Sequence, residues 1–200
     1  MKFNKEVVLN IIGIFLIALS IVHLIQTIFF VDPVHFFWLC NHVILFIGVA
    51  ILFRNSFWLM AEFLILFLGQ FVWIINFFFK VFGNPFVVIS YRIDVIPAIV
   101  HLVTLPLALI AILLLNKKEK FAWKGSLLHA VILMPFIFYF GSYYNLNCFF
   151  DPCVNWIPDI SSYPIFIFLV YFAFIIGLNY LLNWIIDKRI KKTKKSKKKK

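Results

Sequence analysis

A histidine, an aspartate and a threonine fall on one stripe of a strongly apolar segment, residues 95–115. Asp94 and His101 are seven residues apart, so in an α-helix they share a face about two turns apart. Thr104 joins that face three residues after His101. A buried histidine beside a hydroxyl or thiol can serve as a general base in acyl transfer. Alternatively, Asp94 caps the helix and His101 hydrogen-bonds to a neighbouring helix.

Pro106 follows His101 by five residues. Proline has no N–H to donate to the carbonyl of Leu102, so we expect the helix to bend or open just after the histidine. Such a bend concentrates hydrogen-bonding capacity around His101.

A second polar group, Cys40, Asn41 and His42, lies near the start of another apolar segment. Cys40 and His42 are separated by about 200° of helical rotation and cannot both face one interior point, which argues against a metal site. Histidine is the costlier group to expose to lipid, so we expect His42 to face the core and Cys40 to lie on the outer flank. With Asn76, His42 is a candidate for stabilising an oxyanion. The sequence holds no cofactor motif, and we predict neither a cofactor nor a metal.

Glu62 and His129 form a third candidate pair. Counted from the same side of the membrane, each residue lies a few positions into its apolar segment. The two side chains are therefore expected at matching depths. A contact between them would be a favourable way to keep two ionisable groups inside a membrane. A structural pair and a proton relay are both open interpretations.

Cys148 and Cys153 flank an Asp-Pro turn in the loop 145–164. The turn allows the two sulfur atoms to approach each other, and our topology places the loop outside the cell, where disulfides persist. We therefore expect a disulfide between them.

The elements that position these residues are apolar helices. Hydrophobic residues make up 64% of the chain and charged residues 14%, which excludes a water-soluble protein. A helix of about 20 apolar residues crosses a membrane, and the runs here are continuous rather than alternating, which excludes a barrel. The sequence predicts an all-α polytopic membrane protein with six transmembrane helices, residues 7–30, 36–53, 57–79, 95–115, 125–140 and 163–186.

The positions of lysine and arginine predict the orientation. With the amino terminus inside, the cytoplasmic face receives 17 basic residues and the other face two, Lys80 and Arg92. Both termini are therefore expected in the cytoplasm, and the protein in the cell membrane. Residues 188–200 hold ten of the 19 basic residues, and we expect a disordered tail that binds anionic lipid headgroups. Because the net charge of +11 is concentrated there, a nucleic-acid partner is not predicted.

The segment I-P-A-I-V-H-L-V-T-L-P, residues 96–106, resembles the histidine motif of the androgen-induced-gene family. Members are multi-span intramembrane hydrolases that cleave fatty-acid esters of hydroxy fatty acids with a threonine and a histidine. The resemblance implies that His101 is the histidine. The threonine motif matches F-W-L-C-N-H, residues 37–42, where Cys40 stands in place of the threonine.

Three functions are compatible with these features. The first is an intramembrane hydrolase or acyl transferase on lipid esters, with His101 as base, Cys40 or Thr104 as nucleophile, and Asn76 or His42 at the oxyanion. The second is a small proton-linked transporter that uses Glu62 and His129. The third is a non-catalytic membrane component in which the polar groups serve helix association.

Overall fold

The structure, a computed structural model, describes residues 4–83, 95–144 and 163–197. All regular elements in these ranges are helical, as the sequence predicts. They are α1 (Lys5–Phe30), a 3₁₀ helix (Pro33–Phe37), α2 (Leu39–Leu52), α3 (Ser56–Gly83), α4 (Val95–Leu115), α5 (Ala122–Tyr144) and α6 (Tyr163–Lys197). Five of the helices, all except α2, are long and apolar enough to cross a membrane. Helix α4 continues through Pro106.

Helix α2 is short. Its 14 residues span about 21 Å, less than the hydrocarbon core of about 30 Å. The 3₁₀ helix before it begins where the side chain of Asp32 accepts a hydrogen bond from the amide of Val34 (2.8 Å). At its other end, Phe37 stacks on Phe136 of α5, with ring centroids 4.4 Å apart. The amino-terminal end of α2 is therefore held against α5 by the segment that precedes it.

Helices α1 and α2 are antiparallel neighbours. Arg54, in the turn after α2, donates from Nε to Glu6 Oε2 at 2.8 Å and from Nη2 to Asn10 Oδ1 at 2.6 Å. Both acceptors lie in the first two turns of α1. Hence α2 brings the chain back to the end of the bundle at which α1 begins.

The same end of the bundle holds two further segments. Ser56, the first residue of α3, hydrogen-bonds to the carboxylate of Glu119 in the connection between α4 and α5. Asn183 of α6 accepts from the amide of Glu119 (2.8 Å), and Asn179 donates to the carbonyl of Lys120 (2.8 Å). The two asparagines therefore attach the α4–α5 connection to α6. The predicted cytoplasmic segments that the structure describes are thus brought together by hydrogen bonds.

Helix α6 extends beyond the apolar run. The sequence predicts disorder from residue 188, whereas the structure continues as helix to Lys197. Lysine is a good helix former, and Lys191 pairs with Asp187 at 2.7 Å one turn earlier. Asp187 also binds Lys118 of the α4–α5 connection, which anchors the start of the basic segment.

Two glycines set the close approach of α1 and α2. A methyl group on Gly48 would lie 2.7 Å from Ile17 Cγ1 and 3.1 Å from the carbonyl oxygen of Gly13. A methyl group on Gly13 would lie 2.6 Å from Leu52 Cδ2. Small residues at such crossings let helix backbones pack closely in membranes. The contact therefore depends on the absence of side chains at both positions.

We predict that Gly48→Ala destabilises the bundle, because backbone at Gly13 cannot yield as a side chain can. The expected cost is about 1–3 kcal/mol. Gly69→Ala is the matched control, since nothing lies within 4 Å of its added methyl group. Thermal unfolding in detergent, followed by circular dichroism, measures both. Equal melting temperatures for the two variants would contradict the close crossing.

Candidate functional site

A hydrogen-bonded chain joins α3, α5 and α2 in the interior. Glu62 Oε2 lies 2.7 Å from His129 Nδ1, and His129 Nε2 lies 3.0 Å from His42 Nε2. His42 Nδ1 lies 2.8 Å from the backbone carbonyl of Phe36. Glu62, His129 and His42 are all buried. The structure thus brings Glu62 and His129 together, as their matching depths predict.

His42 belongs to a different cluster from the one the sequence predicts. We expected His42 to act with Asn76 and His101 rather than with Glu62 and His129. It contacts His129 directly instead. The reason is the short α2. Its first turn is held against α5 by the preceding 3₁₀ helix, so His42 reaches His129.

Cys40 and Asn41 occupy the same first turn of α2. The Cys40 thiol donates to Asn41 Oδ1 (3.4 Å), and that oxygen also accepts from His23 Nε2 of α1 (2.8 Å). The Asn41 amide nitrogen donates to the carbonyl of His35 (2.6 Å). Asn41 therefore ties the thiol to α1 and to the 3₁₀ helix.

Cys40 faces the protein rather than the outer flank that we expected. It packs against the main apolar core and continues the stripe of Ile44, Ile47 and Ile51, all of which are fully buried. The rotation between Cys40 and His42 is as predicted, but α2 is enclosed on several sides by α1, α3, α4 and the 3₁₀ helix. Both side chains can therefore point inward, towards different neighbours.

The amino-terminal turn of α2 is also electrostatically favourable for an anion. The first amides of any helix lack an intrahelical acceptor, and the helix dipole places partial positive charge there. Trp38, the residue before α2, makes no side-chain hydrogen bond to this turn. Cys40 is the second residue of the helix, so an oxyanion formed beside its sulfur would lie close to the positive end of α2.

His101 is held in one orientation on α4. Its Nδ1 lies 2.7 Å from the carbonyl of Pro97 one turn earlier, and its ring stacks on Trp73 of α3, with centroids 3.9 Å apart. A carbonyl can only accept, so Nδ1 carries the proton of the neutral ring. Nε2 then has the lone pair, and it makes no hydrogen bond to the residues that the structure describes. This buried ring is thus arranged as a base.

His23 of α1 interacts with residues of both α2 and α4. His101 lies within electrostatic range of His23, and His23 hydrogen-bonds to Asn41 beside Cys40. The thiol of Cys40, the carboxamide of Asn41 and the imidazole of His23 are therefore joined between α1 and the first turn of α2.

Thr104 is on the stripe with His101 but is occupied by its own helix. Its hydroxyl donates to the carbonyl of Val100 at 2.7 Å, and the residue is fully buried. Other predicted residues cannot be located. Asp94, Cys148 and Cys153 lie outside the described residues, as does the side chain of Asn76.

Two polar residues of the interior were not among the predicted site residues. His23 lies between Ser20 and Thr27 on the buried stripe of α1, a spacing of three and four residues that could have indicated it. Gln70 of α3 is fully buried, and neither of its amide atoms has a hydrogen-bond partner in the described part of the chain. It precedes Trp73 by about one turn.

Comparison of the chain with known protein families, curated proteins and solved structures finds no match. The resemblance to the androgen-induced-gene family therefore stays a prediction. Within residues 4–83, 95–144 and 163–197, no three histidine, cysteine, aspartate or glutamate side chains are grouped to hold a metal ion. Glu62, His129 and His42 form a linear chain instead of converging on one point.

We predict that Asn41→Leu lowers the stability of the protein. The substitution removes the acceptor of His23 and Cys40 and the donor to the His35 carbonyl, and each buried polar group left unpaired costs about 1–3 kcal/mol. Asn10→Leu is the control, because Asn10 is exposed and accepts one hydrogen bond from Arg54. Thermal unfolding in detergent should show a clearly lower midpoint for Asn41→Leu than for Asn10→Leu. The reverse order would contradict the central role of Asn41.

Proposed function

We propose that this protein is an intramembrane hydrolase or acyl transferase that acts on lipid esters, with Cys40 as nucleophile and His101 as general base. The observation that carries the proposal is the buried first turn of α2. It holds a thiol that hydrogen-bonds to Asn41, and His23, which shares Asn41, lies within electrostatic range of His101, whose Nδ1 is held by a carbonyl. The resemblance of residues 37–42 and 96–106 to the androgen-induced-gene family supports the same pair.

The proposed reaction proceeds through a thioester. His101 Nε2 takes the proton of the Cys40 thiol as the sulfur attacks the ester carbonyl. The resulting oxyanion is stabilised at the positive end of α2. The alcohol then leaves with the proton from His101, and the acyl group remains on Cys40. Water or a second alcohol attacks the thioester, which regenerates the thiol and releases a fatty acid or a new ester.

Cys40 is a better nucleophile candidate than Thr104. The threonine hydroxyl donates to the carbonyl of Val100, so its proton is directed to its own helix rather than to a base. The cysteine thiol also donates within its own turn, to Asn41 Oδ1, but a thiol is a weaker hydrogen-bond donor than a hydroxyl, so its proton passes to a base more readily. It is also the residue that lies at the positive end of a helix.

We further propose that α2 is the sixth membrane crossing and that both termini are cytoplasmic. The contact of Arg54 with Glu6 supports a return of the chain to its starting side after α2. That end of the bundle also holds Lys117, Lys118, Lys120 and the basic end of α6, which agrees with the excess of cytoplasmic lysine and arginine in membrane proteins. The helical segment from Lys188 to Lys197 would lie against anionic lipid headgroups.

The proposal predicts an acyl-cysteine intermediate at Cys40. Purified protein in nanodiscs that contain a phospholipid with an alkyne-tagged acyl chain should acquire the tag as a hydroxylamine-sensitive thioester. Cys40→Ala abolishes this labelling, and His101→Gln lowers its rate by about 10²–10⁴-fold, the usual contribution of a general base. Thr104→Val is the control, because it keeps the side-chain volume and should retain the wild-type rate.

Two results would contradict the assignment. Labelling that survives in Cys40→Ala but disappears in Thr104→Val would make the threonine the nucleophile. A His101→Gln variant that folds normally and labels at the wild-type rate would remove His101 from the reaction.

A further inference from the structure

The side chains of Glu62, His129 and His42 are buried and have aromatic neighbours. Both histidine rings contact Phe46, with centroids 6.0 Å from His42 and 5.7 Å from His129. Phe36 stacks on His42 at 5.4 Å. From α6, the buried phenol of Tyr171 lies within electrostatic range of Glu62. These aromatic neighbours cover the hydrogen-bonded groups, which are themselves largely inaccessible to solvent.

The carbonyl of Phe36, at the His42 end of the chain, determines which atoms of the chain carry protons. The Phe36 carbonyl can only accept, so His42 Nδ1 must carry a proton. The two facing Nε2 atoms, 3.0 Å apart, need one proton between them. The contact between His129 Nδ1 and Glu62 Oε2, 2.7 Å apart, likewise needs one. Three hydrogen bonds therefore require three protons.

The same three protons have three arrangements. In the first, Glu62 is a carboxylic acid and both rings are neutral. If Glu62 transfers its proton to Nδ1 of His129, a carboxylate and an imidazolium result. If His129 then passes the proton on its Nε2 to Nε2 of His42, the imidazolium moves to His42. Every hydrogen bond is retained in each arrangement, and the total charge is unchanged.

We propose that Glu62, His129 and His42 form a proton-transfer site that moves one proton between the cytoplasmic half of the bundle and the first turn of α2. Glu62 is the seventh residue of α3, counted from the end of the bundle that holds Arg54 and Glu119. His42 is the fourth residue of α2, at the opposite end of that helix. Hydrogen bonds of ordinary length thus connect Glu62 with the first turn of α2.

The relay ends next to the proposed reaction site. His42 follows Cys40 by two residues within one helical turn. Formation of an imidazolium on His42 would place positive charge beside the turn in which the oxyanion forms, at the cost of negative charge on Glu62, farther away. This use of the relay rests on the proposed acyl transfer, whereas the proton transfer itself does not.

Nitrogen-15 nuclear magnetic resonance of the histidine rings tests the proton transfer directly. In wild-type protein in nanodiscs, His42 and His129 should show shifts averaged between imidazole and imidazolium that change with temperature. Glu62→Gln removes the carboxylic acid but keeps a donor to His129 Nδ1, so both rings should become neutral and their shifts nearly independent of temperature. Glu6→Gln is the control, because Glu6 is exposed and pairs with Arg54; it should leave the wild-type pattern unchanged.

Fixed, neutral rings in the wild type, identical to those in Glu62→Gln, would overturn the proposal. Infrared spectroscopy of the wild type provides a second test that needs no variant. Carboxylic-acid and carboxylate bands of Glu62, assigned by carbon-13 labelling of glutamate, should interconvert with temperature. A single invariant band would contradict the transfer. Both measurements are independent of acyl-transfer activity, so a failure of the relay is distinguishable from a failure of the proposed enzyme.

Discussion

The arrangement of the interior depends on one short helix. The 14 residues of α2 rise about 21 Å, less than the hydrocarbon core of a membrane, which is about 30 Å, and the residues of its first turn are largely buried among other helices. Amides in a first helical turn have no partner within the helix, and in an apolar interior such groups must be matched by other polar groups. Here the amide of Asn41 donates to the carbonyl of Trp38, and the side chains of Asn41 and His42 have partners in α1, α5 and the 3₁₀ helix.

The other end of α2 is fixed by charge. Arg54 binds the carboxylate of Glu6 and the carboxamide of Asn10, and the close crossing of Gly13 with Gly48 aligns α1 and α2 above that contact. Because the end of α2 next to Arg54 is fixed and the helix is short, the position of its first turn in the bundle is determined. The position of Cys40 beside the interior is then a consequence of helix length, and so is the contact between His42 and His129.

Composition and apolar run length were enough to predict the helices and most of their bounds. Matching depth along two helices was enough to pair Glu62 with His129. The sequence could not predict that His42 joins that pair, because we assumed that α2 spans the full membrane and thereby placed His42 in a different layer. Nor could rotation about α2 alone place Cys40, since a helix enclosed on several sides has more than one inward direction. The extension of α6 to Lys197 depends on the anchoring of Asp187 by Lys118, a contact between residues far apart in the chain.

We propose that the first turn of α2 and Nε2 of His101 face one reaction space. The most direct measurement is the distance between Cys40 Sγ and His101 Nε2 in an electron cryomicroscopy structure of the protein in nanodiscs. The account predicts a distance bridged by direct contact or by one ordered water, as a general base requires. Packed apolar side chains between the two atoms, with no path for a proton, would contradict it.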